Sequence, residues 1–402
     1  MAQTSSEQTR AWQGPALFSY GFRPFFLAAT VFATGIVPVW MLIFSGDWDL
    51  QSTFPAVDWH IHEMLFGYAT AVVAGFLFTA IPNWTGRMPK RGWSLAVLLG
   101  LWLLGRVAMY GALGVNEVTV MLLDCAFLGA IVVMILIEVV AGKNWRNLMV
   151  LGMLSVLLVG NGVFHVEAAG PGFAAQGYGL RLGLGASIMM IAVVGGRVVP
   201  SFTRNWMAKR QSARLPVPPM QRFDKVALLA LLGALGAWIA LPASQISALL
   251  LLLAGGLHLA RLWRWLGMRT LAEPLVTVLH VGYLFVPLGA FALGAEPFLP
   301  GTEALGGVQH FWMAGAIGVM TLAVMTRATL GHTGHALTAG PGTMLIYGAA
   351  VLAVLLRVMA GVWPEQATGF YWAAGMAWLT AFGSFVVVYG PLLARARPMR
   401  AS

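Results

Sequence analysis

Two histidines and a glutamate stand close together at the head of a long apolar stretch, in the run Trp59-His60-Ile61-His62-Glu63. Imidazole is a usual protein ligand for haem iron and for copper, so these residues indicate a metal or cofactor site. Ionisable groups within a membrane helix are costly and mark function by default. The alternative is a helix mouth, where water is near and the cost is small. Because His60 and His62 project about 200° apart on a regular helix, they cannot ligate one ion together.

The composition shows which elements must position these side chains. Of the 402 residues, 59% are hydrophobic and 9% are charged, whereas soluble proteins contain roughly 25% charged residues. A helix needs roughly 18–25 apolar residues to cross a bilayer. Twelve such runs predict an all-α membrane protein with one integral membrane domain, 1–402, and helices at approximately 24–44, 60–81, 93–111, 118–141, 148–167, 177–199, 226–241, 245–265, 274–294, 306–327, 344–362 and 368–392.

Charged residues in the connections predict the orientation of these helices. Lys and Arg cluster in the even-numbered connections and in the C-terminal tail, whereas the odd-numbered connections carry only acids. Since cytoplasmic loops are rich in Lys and Arg, both termini are predicted to be cytoplasmic. The net charge of +10 is therefore a topology signal and does not indicate nucleic-acid binding. The single cysteine, Cys125, excludes a disulfide framework and a cysteine metal site.

Seven basic side chains fall in one layer near the predicted outer surface, given a rise of about 1.5 Å per residue. They come from six helices and are His60, His62, His165, His310, Arg106, Arg181 and Arg357. A haem between helices needs axial histidines from different helices and basic groups for its propionates. The histidines meet the first need and the arginines the second. For each residue alone, the alternative is a side chain that simply tolerates the membrane interface.

Further candidates lie deeper in the membrane. His258 and His280 share a depth in the predicted eighth and ninth helices, where they form either a second metal or haem site or a hydrogen-bonded core pair. Asp124 is the one acid clearly inside a predicted span. Its two interpretations are a proton relay and a buried partner for arginine.

The second, sixth and tenth predicted helices share a spacing pattern. The same separation joins His62 to Thr85 and His310 to Thr333. A threefold repeat of four-helix units, related by an axis along the membrane normal, would explain this pattern. It would make His62 and His310 equivalent residues.

Ordered motifs along nearly the whole chain resemble the NnrS family. They include Gly21-Phe22-Arg23-Pro24-Phe25-Phe26, His60-Ile61-His62-Glu63-Met64, Pro82-Asn83-Trp84-Thr85-Gly86-Arg87 and Gly196-Arg197-Val198-Val199-Pro200. The resemblance implies a haem- and copper-containing protein of the bacterial inner membrane, tied to nitric oxide metabolism and protection against nitrosative stress. The architecture is also similar to the catalytic subunit of haem-copper oxidases, whose haem histidines lie on the second and tenth helices. The copper site of that subunit is not expected here, because the predicted sixth and seventh helices lack histidine.

Residue pattern and resemblance together give one main prediction. A b-type haem is ligated by His62 and His310, and the three arginines of the outer layer hold its propionates. The further candidate ligands, for copper or for the other axial position, are His60 and His165, and His258 and His280 are the candidates for a second metal or haem site. Embedded in the lipid bilayer, the protein would bind or reduce nitric oxide or transfer electrons, as a haem-dependent oxidoreductase with an unidentified redox partner. The alternative is a secondary transporter or anion permease whose path is lined by the same histidines and arginines.

Overall fold

The computed structural model describes residues 12–86, 89–299 and 307–396. Its long elements within these ranges are helices, numbered α1 to α12 in chain order. They are α1 Phe22–Ser45, α2 (Ala56–His62, Glu63–Tyr68 and Ala69–Thr85 in one run), α3 Trp93–Met109, α4 Glu117–Ala141, α5 Leu148–Ala168, α6 (Tyr178–Met190, Ile191–Gly195 and Gly196–Lys209), α7 Arg222–Ala240, α8 Gln245–Trp263, α9 Pro274–Ala295, α10 (Phe311–Val319 and Met320–Thr333), α11 Pro341–Val362 and α12 Ala367–Ala394.

Eleven segments of the described chain are long and apolar enough to cross a bilayer. The other predicted span, 93–111, corresponds to α3, which is shorter at 17 residues. The protein is therefore a multi-pass helical membrane protein that lies in a lipid bilayer, as its composition predicts. The orientation of its termini stays a prediction.

Helix α2 begins four residues earlier than its apolar pattern predicts, at Ala56. Asp58 in its first turn accepts hydrogen bonds from the backbone N–H groups of Ala174 and Ala175, at 3.3 and 2.8 Å. The polar start of the helix is therefore covered by another segment of the chain. His62 lies inside the helix with 0% of its surface exposed, so the interpretation of a hydrated helix mouth is wrong for this residue.

Three described helices contain a π-helical segment, a wide turn that is rare in proteins and often lies at functional sites. The segments are Glu63–Tyr68 in α2, Ile191–Gly195 in α6 and Phe311–Val319 in α10. These are the three helices that the spacing pattern aligns. The first segment directly follows His62 and the third directly follows His310. The threefold repeat itself stays a prediction.

The chain divides into two compact units. Unit 1 comprises residues 1–183, 328–336 and 382–402, and unit 2 comprises residues 184–327 and 337–381. In its described part, unit 1 holds α1 to α5 with the first turns of α6 and the ends of α10 and α12. Unit 2 holds most of α6, α7 to α9, most of α10, α11 and the start of α12. A single membrane domain over 1–402 stays a prediction.

In unit 1, helix α5 and the first turns of α6 approach each other at backbone distance. A Cβ atom on Gly160 would lie 2.9 Å from the backbone nitrogen of Gly183. A Cβ atom on Gly179 would overlap the backbone of Phe164. Small residues let membrane helices pack this closely. The contact fixes the turn of α5 that leads to His165.

Unit 1 also joins the start of α1 to the end of α12. Arg23, which is 4% exposed, donates from Nη1 to the carbonyl oxygens of Leu393 and Arg395 at 3.0 and 2.6 Å. The last carbonyl groups of a helix lack backbone partners and carry partial negative charge. Arg23 therefore caps the C-terminus of α12.

Candidate metal centre

Six buried side chains from four helices of unit 1 form a group that we call the His62 cluster. They are His62 and Glu63 in α2, Arg106 in α3, Asp124 in α4, and Asn161 and His165 in α5. None of them is more than 9% exposed. Buried polar groups in a membrane protein must satisfy one another, since lipid offers no hydrogen bonds. The contacts within the cluster do so for most of its polar atoms, and Nε of Arg106 is buried without a hydrogen-bond partner among the described residues.

Asp124 is the centre of the cluster, and its two carboxylate oxygens face different partners. Oδ2 lies 3.1 Å from Nε2 of His62, 3.1 Å from Nε2 of His165 and 2.6 Å from Nδ2 of Asn161. Oδ1 accepts a hydrogen bond from Arg106. Ligand atoms of Asp124, His62 and His165 lie within 4.8 Å of one another, close enough to hold one metal ion.

The ring nitrogens of His62 face hydrogen-bond acceptors on both sides. Nδ1 lies 3.3 Å from Oε1 of Glu63, and Nε2 lies 2.9 Å from Oδ1 of Asn161. The amide nitrogen of Asn161 donates to Asp124, so its oxygen must face the ring. A neutral imidazole has only one N–H group. Either a second proton or a metal ion at Nε2 therefore completes the arrangement, and a metal ion leaves Nδ1–H to donate to Glu63.

Arg106 compensates part of the negative charge of the cluster. Its Nη1 donates to Oε1 of Glu63 at 2.5 Å, and its Nη2 pairs with Oδ1 of Asp124. Two carboxylates and one guanidinium leave one negative charge in excess while both histidines are neutral. Because an uncompensated buried charge is costly, the cluster favours one additional positive charge.

The π-helical segment of α2 makes room for Arg106. Gly67 lies in this segment, and a Cβ atom there would be 2.5 Å from Nη1 of Arg106. A glycine is therefore needed for the close approach of the guanidinium group. Trp102, in the preceding turn of α3, donates from Nε1 to the carbonyl oxygen of Gly67 at 3.0 Å. A side chain of α3 thus provides a hydrogen-bond donor for a carbonyl group of the wide turn.

Three phenylalanine rings surround the two histidines. Phe54 makes T-shaped contacts with His62 and His165, with 5.7 and 5.1 Å between ring centroids. Phe66 and Phe164 contact His62 at 5.4 and 5.7 Å. These rings keep water away from the polar atoms, which strengthens the electrostatic interactions among them.

The family comparison agrees with the motifs over almost the whole chain. Residues 16–397 match the family model described as NnrS protein. The chain belongs to the NnrS family. The matched range includes every residue of the His62 cluster. No curated protein matches the chain.

Three of the predicted site residues of this NnrS protein, His62, His165 and Arg106, come together in the cluster. His60 projects elsewhere, as its spacing from His62 requires, and stacks on Trp40 with 4.4 Å between ring centroids. Arg181 lies over a tyrosine ring at 4.7 Å and donates to a backbone carbonyl oxygen at 2.6 Å. The part of the predicted outer layer in unit 1 therefore separates into a buried cluster and two residues with other contacts.

Two predicted residues of the outer layer lie in unit 2. Arg357 lies over the ring of Tyr371, 4.8 Å from its centroid. A Cβ atom on Gly307 would be 3.5 Å from Nη1 of Arg357. Since Gly307 is three residues before His310, Arg357 lies beside the segment that carries this histidine.

The predicted inner pair in unit 2 has separate hydroxyl partners. His258 lies 2.8 Å from the hydroxyl of Tyr283 through Nδ1. His280 lies 2.8 Å from the hydroxyl of Thr203 through Nε2. Each histidine is thus tied into its own hydrogen bond in the helix core.

Sequence reasoning missed Asn161 and the ligand position of Asp124. One of its two interpretations of Asp124 was a buried partner for an arginine. The ion pair with Arg106 confirms that interpretation. Sequence reasoning did not connect Asp124 with the histidines. Asn161 and His165 are four residues apart, so they share a face of α5. The signal that the sequence contains is a polar pair at this spacing, together with an acid that lies clearly inside another predicted span.

Proposed function

We propose that this NnrS protein holds a metal ion in the His62 cluster, with Nε2 of His62, Nε2 of His165 and Oδ2 of Asp124 as ligands. The observation that carries the proposal is the convergence of ligand atoms from these three buried residues within 4.8 Å. Glu63 would accept the Nδ1–H of His62, and Asn161 would hold the carboxylate of Asp124. Such outer partners fix the orientation of metal-bound side chains.

Copper is the metal that the charge of the cluster favours. Imidazole suits copper, zinc, iron and nickel as a ligand. Since the cluster has one negative charge in excess, a monovalent ion leaves it neutral, whereas a divalent ion leaves one positive charge buried. Cu⁺ is the monovalent ion in that group. Copper is also the metal that the family resemblance implies.

A b-type haem is proposed as a second cofactor, separate from the copper ion. Nε2 of His62 faces Asp124 and Asn161, so one nitrogen cannot serve both the iron and the ion of the cluster. His310 is therefore the first candidate for the haem iron, with Arg357 beside its segment for a propionate. One haem ligated by both His62 and His310 is the alternative for a protein that holds no copper.

The proposed role is in nitric oxide metabolism or protection against nitrosative stress, in the bacterial inner membrane. Bound copper and haem would supply the redox chemistry, as expected of a haem-dependent oxidoreductase. The chain supplies the ligand positions and the apolar surroundings made by Phe54, Phe66 and Phe164. A small neutral molecule such as nitric oxide enters such surroundings at lower cost than an anion does. Binding or reduction of nitric oxide, or electron transfer to it, fits this setting.

The contacts of Arg106 weigh against the transporter alternative. In an anion permease this arginine would line the path. Its guanidinium group instead pairs with Glu63 and Asp124 and is 9% exposed. An anion would have to displace a buried carboxylate to reach it, which costs about 3–5 kcal/mol.

Metal analysis and absorption spectra of detergent-purified protein test the two cofactors separately. We expect copper, iron and a Soret band in the wild-type protein. Asp124→Asn should lose copper and keep the Soret band, because the amide keeps the shape of the carboxylate and removes its charge. His310→Ala should lose or shift the Soret band and keep copper.

His280→Asn is a matched control, since it removes a buried histidine outside both proposed sites and should keep both signals. Copper that persists in both Asp124→Asn and His165→Ala refutes the metal centre. If the Soret band is lost in His62→Ala but kept in His310→Ala, the haem is ligated in the His62 cluster and not by His310. If the wild-type protein contains neither iron nor copper, both proposed cofactors are wrong and the transporter becomes the better hypothesis.

A further inference from the structure

A second buried polar group lies in unit 2, and the proposed metal centre does not use it. This Tyr283 cluster consists of Asp224 in α7, His258 and Arg261 in α8, and Tyr283 in α9. All four residues are 0% exposed. Buried ionisable groups in membrane helices are expensive, so a cluster of four calls for a functional explanation.

The partners of His258 fix the direction of its hydrogen bonds. Nε2 lies 3.1 Å from the carbonyl oxygen of Ala227, which can only accept, so Nε2 carries the proton. Nδ1 is then a lone pair, and the hydroxyl of Tyr283 donates to it across 2.8 Å. Arg261 donates from Nη1 to the same phenol oxygen at 2.7 Å. The phenol proton of Tyr283 therefore points directly at a base.

The charge of Arg261 is balanced and its position is fixed. Nε donates to Oδ1 of Asp224 at 2.8 Å, and Nη1 also donates to the carbonyl oxygen of Ala192, in the π-helical segment of α6, at 2.9 Å. A Cβ atom on Gly196 would overlap the guanidinium group, so the glycine leaves room for it. The ion pair is neutral as a whole. It holds the phenol oxygen of Tyr283 in place between a guanidinium and an imidazole.

An aromatic side chain connects Tyr283 to the end of α8. The ring of Trp265, also 0% exposed, meets Tyr283 in a T-shaped contact with 4.6 Å between centroids. Trp263, two residues earlier, is 80% exposed. Electrons tunnel efficiently between aromatic rings in contact, so an oxidant near the end of α8 can withdraw an electron from Tyr283 through Trp265.

We propose that Tyr283 is a redox-active side chain whose proton acceptor is His258. A high-potential one-electron oxidant, either a radical or a high-valent metal centre, takes one electron from the phenol. The O–H bond of Tyr283 breaks in the same step, and its proton forms a bond with Nδ1 of His258. The products are a neutral phenoxyl radical, an imidazolium and the oxidant reduced by one electron. Tyr283 thus supplies one reducing equivalent inside the membrane, independently of the His62 cluster.

Flash oxidation of the full-length protein in detergent tests this assignment. Photogenerated tris(bipyridine)ruthenium(III) serves as the oxidant, and electron paramagnetic resonance of freeze-quenched samples detects the radical. Wild-type protein grown with ring-deuterated tyrosine should show a tyrosine radical with altered hyperfine structure, and Tyr283→Phe should lose it. His258→Asn puts an amide oxygen near the position of Nδ1 and so keeps an acceptor without a base. It should slow radical formation by at least about a hundredfold, since a positioned base typically contributes about 10²–10⁴-fold.

Tyr347→Phe is the matched control, because the hydroxyl of Tyr347 lies 2.6 Å from the hydroxyl of Thr326, which is not a base at neutral pH. It should leave the signal unchanged, and so should Asp124→Asn, in which the proposed metal centre is removed. Size-exclusion profiles identify variants that remain folded. Wild-type protein without a tyrosine radical, a full signal in Tyr283→Phe, or an unchanged rate in folded His258→Asn overturns the proposal.

Discussion

Replacement of Arg106 by glutamine tests the charge balance of the His62 cluster. In the wild-type protein the guanidinium group offsets one of the two carboxylates of Glu63 and Asp124. Glutamine keeps most of the side-chain length but leaves both carboxylates buried without a cation. Loss of one partner from a buried ion pair costs about 3–5 kcal/mol. Each kcal/mol shifts Tm by about 2–4 °C in a unit of this size, so Tm of the metal-free protein should fall by about 6–20 °C.

The same substitution should change which metal ion the cluster prefers. With two negative charges in excess, a divalent ion leaves the Arg106→Gln cluster neutral, as a monovalent ion does in the wild type. We therefore expect Cu⁺ to raise Tm more in the wild type and Zn²⁺ to raise it more in the variant. An ion at about a hundred times its Kd stabilises the folded state by about 2.7 kcal/mol, so Zn²⁺ should recover much of the loss.

Thermal unfolding at one fixed scan rate, followed by tryptophan fluorescence, measures both effects in chelator, in Cu⁺ with a reductant and in Zn²⁺. Arg181→Gln is the matched control, because Arg181 contacts the ring of Tyr178 and a backbone carbonyl instead of two carboxylates. This variant should lose about 1 kcal/mol or less of unfolding free energy. The charge argument is refuted if Arg106→Gln is as stable as this control, or if its preference among metal ions equals that of the wild type.

Other substitutions probe the supports of the cluster and the helix contacts. Asn161→Leu leaves all three metal ligands in place but should lower metal affinity about 10–100-fold in competition with a chelating dye, because the carboxylate loses its orienting amide. Gly179→Ala should lower stability by about 1–3 kcal/mol, since its Cβ would overlap the backbone of Phe164. Gly162→Ala, with open space around the added Cβ, should leave Tm unchanged or slightly higher, and equal effects of the two would contradict the packing argument. Arg23→Met should cost about 1.5–3 kcal/mol in thermal unfolding, because two charge-assisted hydrogen bonds to the end of α12 are lost.

The membrane helices could be predicted because the bilayer imposes both their length and their polarity. Each of the twelve predicted spans corresponds to one of α1 to α12, although α3 is shorter than a usual span. The predicted ends of the helices were less accurate than their number and order, because a helix continues past its apolar part where polar residues find hydrogen-bond partners. Helix α2 starts at Ala56, where Asp58 is bonded to another segment, and α10 continues to Thr333 instead of 327.

The candidate site could be predicted only in part. His62, His165 and Arg106 were found because charge and histidine are rare in apolar runs. Their contact with Asp124 could not be predicted, because contacts across helices depend on the rotation of each helix about its axis. Helix α4 is apolar on most of its surface, so its sequence pattern leaves that rotation undetermined.

The wide turn directly after His62 sets the rotation of one part of α2 relative to the other. An α-helix turns by about 100° per residue, and a π-helical segment uses one more residue for its turn. If the same residues from Glu63 to Tyr68 formed a regular α-helix, the extra residue would add about 100° of rotation and turn His62 away from Asp124. The helix would keep its apolar length and still insert into the membrane. Conversion of this one wide turn into a regular turn at constant chain length can therefore remove the metal centre and leave the membrane fold intact, which gives related chains a short evolutionary route between a binding and a non-binding form.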